Sequence, residues 1–201
     1  MALAETREEW AVGFQDECWW SRVARPGLHA WADGDPVRLT TLSVPKTDPD
    51  PKALACYGLL IRQQQATRAS DELWLRFVDG RPVSAVTTQF LSWCCDRLAA
   101  TGVTTLVLVW DNAAWHGSGA LRRWLRQHNQ QAHREDGVRI VPCFLPTKSP
   151  WLNPIEPQWV HAKRRVVAPA RLLTARELEQ RVCAAFNHPV SDHLTIPQEA
   201  A

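Results

Sequence analysis

The sequence predicts an α/β protein: a mixed sheet, laid down as a three-strand meander and then alternating helices and strands, with helices on both faces. Three observations carry this. Short runs rich in strand formers open the chain at residues 10–17, 53–62 and 72–78. From residue 84 the apolar period lengthens to helical spacing. Buried-type strands at 106–110 and 138–145 then alternate with helical segments.

Each element has a local reason. Residues 10–17 (WAVGFQDE) are mostly apolar and are closed by Asp16 and Glu17. Residues 21–51 carry many Pro, Gly and Asp and read as an irregular excursion, with room for a short strand at 37–44. ALACYGLLIR (53–62) is a second strong strand. ELWLRFV (72–78) alternates and runs into Asp79-Gly80, a turn signal, so the links favour an antiparallel meander. Over 84–100, Val86, Phe90, Leu91, Cys94 and Leu98 share one helix face, and Gly102 is a stop signal. Leu121, Trp124, Leu125 and His128 mark a helix over 118–131. A helix is expected from Asn153 to about residue 167, and another over 174–187, where Thr174 and Glu177 form a capping-box pattern. Residues 1–9 read as a short lead, 10–187 as one domain, and the tail after His188 as loosely ordered.

Composition narrows the class. A chain of 201 residues is long enough for one full core, and 45% hydrophobic with 22% charged residues is ordinary for a soluble globular protein. No apolar run approaches a membrane span, and the start lacks the basic-then-apolar order of a signal peptide, so a cytoplasmic location and no membrane partner are expected. The six cysteines contain no CxxC pair and read as small reduced core residues. A net charge of +2 does not by itself demand nucleic acid. The clusters Lys163, Arg164, Arg165 and Arg122, Arg123, Arg126 each read alone as a solvated helix face. Eleven tryptophans are divided between the core and surfaces suited to base stacking or protein contact.

The chemistry lies in three acids. Asp16 and Asp111 each close a hydrophobic strand. Strands one and four of this order are often parallel neighbours, so side chains at their carboxyl ends converge on one crevice. Glu156 arrives on the helix after the last long strand. Carboxylate oxygens suit Mg²⁺ or Mn²⁺, and two such ions about 3.5–4 Å apart activate an attacking oxygen and stabilise a leaving one. Each acid also has a plainer reading. Asp16-Glu17 can end a strand in solvent, and Asp111-Asn112 can form an Asx turn. Asn153 as N-cap, Pro154 at N1 and Glu156 at N3 resemble a capping box. Three acids at compatible positions favour the shared site.

Three segments then carry a family resemblance: the DE at Asp16-Glu17, DNAAWH from Asp111 to His116, and LPTKSPWLNPIEPQW from Leu145 to Trp159. Over roughly residues 10–167 the chain resembles the catalytic domain of DDE transposases, in the mariner-related bacterial insertion-sequence group. The resemblance implies a ribonuclease H-like fold, with Asp16, Asp111 and Glu156 as catalytic and metal-holding acids for Mg²⁺ or Mn²⁺, two ions in all. It implies cleavage of DNA at transposon ends and strand transfer into target DNA, hence a nucleoid-associated protein. Glu17, Asn112, His116, Asn153 and Pro154 become supporting residues. For His116, contact with the metal or scissile phosphate stands beside a turn-capping role. Lys148, Lys163, Arg164 and Arg165 become DNA contacts, although Lys148 replaces an aromatic residue common in the family. The link from Asp111 to Glu156 is longer than in the tightest mariner relatives, the extra length falling in HNQQAHREDG (128–137). No N-terminal helix-turn-helix domain is expected, so a separately encoded helix-turn-helix protein is an implied partner, and the need to pair two transposon ends implies a homodimer. The alternatives are a non-catalytic DNA-binding remnant and a structure-selective nuclease of the same fold.

Overall fold

The computed structural model describes residues 7–23, 43–65, 68–166 and 171–197, with the backbone alone for 63–65 and 68–70. The expected short strand at 37–44 falls largely outside the described residues. Three long strands open the fold: β1 (Trp10–Ser21), β2 (Ala53–Gln65) and β3 (Arg68–Asp79). They pair antiparallel in sequence order. The chain then alternates through α1 (Ser84–Ala99), β4 (Thr105–Trp110), α2 (Gly119–Arg134) and β5 (Arg139–Phe144). A 3₁₀ turn at Pro150–Leu152 leads into α3 (Glu156–Val166), α4 (Ala175–Ala185) and a short β6 (Leu194–Thr195). The sheet order is β5-β4-β1-β2-β3-β6, with β4 parallel to β1 and β5 parallel to β4. This is the mixed sheet the sequence predicts.

Both faces of the sheet are covered, which explains why β1, β2 and β4 read as nearly continuous apolar runs. On one face α1 and α2 bury Tyr57, Phe90, Leu91, Leu106, Leu108, Trp110 and Leu121. On the other, α3 and α4 bury Phe14, Trp20, Cys56, Trp159 and Val182. Five cysteines are buried thiols, as expected of core residues, whereas Cys143 is exposed on β5. Thr174 and Glu177 form the expected capping box at the start of α4. Among the described residues no helix is long and apolar enough to cross a membrane.

Three expectations are corrected. First, β1 does not end at Asp16-Glu17: it pairs with β2 as far as Ser21↔Ala53, because alternate burial of Cys18 and Trp20 continues the strand. Asp16 is therefore a mid-strand residue. Second, α3 begins at Glu156 rather than Asn153, whose side chain is used elsewhere. Third, the segment after His188 returns to the sheet, where Leu194 and Thr195 pair parallel with Val78 and Asp79.

One buried charge closes the far end of β1. Arg22 is 2% exposed, and its Nε donates to the Leu173 carbonyl at 2.7 Å. Its two terminal nitrogens donate to both oxygens of Asp48, at 3.0 and 2.8 Å, and Nη1 also reaches the Asp50 and Pro51 carbonyls. Asp50 Oδ2 in turn accepts from the Ala175 N–H at the start of α4. The guanidinium thus ties β1, the segment entering β2 and the α3–α4 link.

Candidate active site

The register of β1 and β4 places the first two acids. The parallel pairing runs from Trp10↔Thr105 to Phe14↔Val109, so Asp16 and Asp111 stand two positions beyond the last pair on neighbouring strands. β4 stops at Trp110, while β1 continues beside β2. A crevice opens where the strands part company.

Asp16 faces α3. Its Oδ2 accepts from Trp159 Nε1 at 2.9 Å. Trp159 lies three residues after Glu156, on the same helix face, so α3 brings an acid and an indole together to β1. Gly58 pairs with Asp16 in the neighbouring strand, and a Cβ there would lie 2.4 Å from the Trp159 ring. The glycine is what lets the indole lie against the sheet. Burial, and then the nearby Glu156 carboxylate, push the Asp16 carboxyl up to about 7, against the lowering effect of the Trp159 hydrogen bond.

Asp111 is set differently. Its side chain is 53% exposed, yet Oδ1 accepts from the Ala113 N–H at 2.9 Å and faces His116 Nδ1 at 2.8 Å. The Asx turn and the site residue are therefore one arrangement rather than rival readings. The His116 hydrogen bond holds the Asp111 carboxyl below the usual carboxylate range, burial opposing it. His116 is fully buried, stacks on Trp110 with ring centroids 4.7 Å apart, and presents Nε2 to Glu17 Oε1 at 3.1 Å. Burial alone would depress the imidazole, but its bonds to Asp111 and Glu17 prevail and push it up to about 9. Strand alternation puts Glu17 on the face opposite Asp16. Asn112 donates to the Leu145 carbonyl at 2.7 Å, pinning the ends of β4 and β5 together.

The loop after β5 delivers Glu156. Asn153 is buried, and its amide donates to the Gln15 carbonyl of β1 at 3.2 Å instead of capping α3, while its Oδ1 has no protein partner. The Asn153 carbonyl accepts from the Glu156 N–H, so the residue still fixes where α3 begins. Pro154 follows, and Lys148 takes a left-handed backbone (φ 57°). A cleft of about 400 Å³ results, lined by Asp16, Asp111, Asn112, Lys148, Asn153 and Glu156 among others. Among the described residues no three His, Cys, Asp or Glu side chains close around a single point. The donor chemistry still fits a hard divalent cation: carboxylate oxygens, two of them from acids close enough to repel, with space left for water and phosphate oxygens.

The model of the DDE superfamily endonuclease family matches residues 65–179, more than half of the chain. The chain belongs to this family. The matched segment contains Asp111 and Glu156 and begins after Asp16. Comparison with curated proteins finds no match. Among solved structures, the DDE fold resembles the Mos1 transposase paired-end complex with the left transposon end, at 17% identity and a TM-score of 0.55, over 90% of this chain and 48% of that one. The Mos1 mariner paired-end complex with Mn gives the same values. A pre-cleavage Mos1 transpososome matches at 16% identity and a TM-score of 0.53, over 91% of this chain and 49% of that one. The chain thus spans about half the length of the solved structures it matches. At this identity the likeness shows the fold alone, the ribonuclease H-like mixed sheet with helices on both faces.

The basic residues of this DDE domain do not act as one group. Lys148 lines the cleft. Lys163 lies two turns along α3 from Glu156, with Nζ 5.9 Å from the Trp20 ring centroid, and Arg164 is exposed beside it. Arg165 is also exposed, and its Nη2 donates to the Ala185 carbonyl at 3.0 Å. Sequence reasoning missed Trp159 and Gly58. The three-residue spacing of Trp159 from Glu156 was the available signal for the first. Nothing local signals Gly58, whose partner is 101 residues away.

Proposed function

We propose that this domain performs divalent-metal-dependent cleavage and strand transfer of DNA as the catalytic part of a transposase, with Asp16, Asp111 and Glu156 as its catalytic acids. The observation that carries the reading is that these acids, far apart in sequence, line one cleft in a fold of the DDE endonuclease family. The three carboxylates would hold Mg²⁺ or Mn²⁺, two ions in the full site, and the Mos1 complexes with Mn and Mg support that choice. Bound there, the ions would supply Lewis-acid stabilisation of the attacking and leaving oxygens.

Two phosphoryl transfers follow. In the first, water attacks a phosphodiester at a transposon end, a P–O bond breaks, and a 3′-hydroxyl leaves. In the second, that hydroxyl attacks a phosphodiester of target DNA, by family resemblance at a TA step. Asp16 and Glu156 lie close enough to repel each other, and Asp111 lines the same cleft. Lys148, Lys163 and Arg164 neutralise DNA phosphates near the cut. Such contacts position the duplex without reading its sequence. A helix-turn-helix protein acting with this domain, and pairing of two ends by a homodimer, complete the reading, which places the protein on the nucleoid.

The test uses pre-cut DNA ends and a supercoiled target plasmid with Mg²⁺ or Mn²⁺. Strand-transfer products are expected from the wild type and none from Asp111→Asn. Cleavage without joining would instead support a structure-selective nuclease. DNA binding without either reaction would support a non-catalytic remnant.

A further inference from the structure

We infer that Glu17 and His116 are positioning residues, forming a buried brace that fixes the rotamer of Asp111 and leaves only its Oδ2 to ligate metal. The inference rests on the reading of Asp111 as a metal-holding acid.

Asp111 needs such a brace. It sits where β4 has ended, its side chain is half in solvent, and the chain beyond it is a turn. A free aspartate there would sample several rotamers, whereas a catalytic ligand must be held to within about 0.5 Å. The two protein donors Ala113 N–H and His116 Nδ1 both meet Oδ1. Its two lone pairs are then occupied, and Oδ2 is the oxygen left to face the cleft. Ligation by one oxygen follows.

His116 cannot itself work in the cleft. It is fully buried, both ring nitrogens are engaged, and one ring face stacks on Trp110. Contact with a scissile phosphate, one of the two options left by the sequence, is closed off. The other option, a turn cap, leaves out its second partner. Nε2 reaches across to Glu17 on β1, bridging the two strands beyond their last paired residues.

Glu17 is built as an anchor. Its side chain is 7% exposed, and Oε1 also accepts from Gln15 Nε2 at 3.0 Å and Trp115 Nε1 at 3.3 Å. The indole and the imidazole come from one turn, closed by the His116 and Gly117 N–H groups on the Ala113 carbonyl. The brace therefore locks that whole turn onto β1. Adjacent acids on β1 divide the labour: Asp16 enters the cleft from one sheet face, and Glu17 steadies the opposite acid from the other. This is the outer-shell support that ligating side chains commonly need.

The experiment measures Mn²⁺ affinity of the DNA-free protein by electron paramagnetic resonance, with circular dichroism as the fold control. His116→Gln keeps an amide where Nε2 faces Glu17 but loses the Asp111 bond. His116→Asn keeps the amide near Nδ1 and restores it. Glu17→Gln removes the anchoring charge. The expected result is a roughly 10–100-fold weaker Mn²⁺ site in His116→Gln, substantial recovery in His116→Asn, and an intermediate loss in Glu17→Gln. A folded His116→Gln protein with wild-type affinity would overturn the brace, provided Asp111→Asn still loses the metal. If Asp111→Asn also keeps wild-type affinity, the underlying site assignment fails instead. Should the variants not fold, the wild type decides. Its His116 Nδ1–H resonance, followed by ¹⁵N-edited NMR, must shift on Mg²⁺ addition, and an unmoved resonance overturns the proposal.

Discussion

Arg22, just past the end of β1, and Asp16, half-buried in the middle of that strand, are charged side chains treated in opposite ways. Around Arg22 the fold closes: a bidentate aspartate and three carbonyls take up the guanidinium. Around Asp16 the fold stays open: the Trp159 indole donates to the carboxylate, and the nearby Glu156 carboxylate repels it. A protein that can wrap one charge so completely is able to wrap the other. An acid left both desolvated and repelled within an open cleft is what the proposed cation site requires.

The largest expected effect breaks the comparison at its functional end. Asp16→Asn should lower Mg²⁺-dependent cleavage by about 1,000-fold or more, since several kcal/mol of charge stabilisation is lost. At pH 8 its thermal melting point should stay level or rise, because a repelled charge has been removed. Parallel cleavage assays and melting curves check both halves. Arg22→Met is the mirror image. It should destabilise the fold, read as a lower urea midpoint, by leaving the Leu173, Asp50 and Pro51 carbonyls and the Asp48 carboxylate without their shared donor. In the fraction that remains folded, Mn²⁺ affinity should be unchanged.

The pH dependence sharpens the contrast. Asp16 titrates near 7 in the folded chain, above its unfolded value of about 4, so the folded state binds the extra proton between those limits. Ion-free stability should therefore fall as pH rises from about 4 to 7. His116, raised to about 9, adds a second decline from about 6.5 to 9. Melting curves from pH 5 to 9 should show both declines. Asp16→Asn should abolish the first, and Mg²⁺ should reverse it. Stability rising from pH 5 to 7 would contradict the assignment. Next in size, Gly58→Ala should destabilise by about 1–3 kcal/mol through overpacking against Trp159, and should slow cleavage by shifting α3 and Glu156. The smallest effect is Trp159→Phe, which removes one hydrogen bond worth about 1 kcal/mol and should raise the Asp16 titration point, visible by ¹³C NMR.

How far the sequence led can be judged at the same residues. The strands and helices were legible because each buries a face with its own period, and Asp111 and Glu156 because each stands at an element boundary. Asp16 was named from its neighbours but misplaced at a strand end. The alternation of Cys18 and Trp20 continues β1 past the two acids, and pairing with β2, more than thirty residues on, completes it. The bonds of His116 to Glu17 and of Arg22 to Leu173 join residues about a hundred or more apart. Glu156 was expected to be aimed by a side-chain cap; the aim comes instead from the Asn153 amide fastened to β1.

The alternation along β1 carries a consequence for how such chains can diverge. Since neighbouring residues of a strand point to opposite faces, inserting or deleting a single residue between Trp10 and Asp16 would turn Glu17 into the cleft and Asp16 onto the His116 side. That stretch has no tolerance for change in length. The turn between α2 and β5, where Asp136 takes a left-handed backbone beside Gly137, lies away from the lining of the cleft and can lengthen freely. Aligned relatives should therefore keep an invariant spacing through β1 and collect their gaps at the α2–β5 turn.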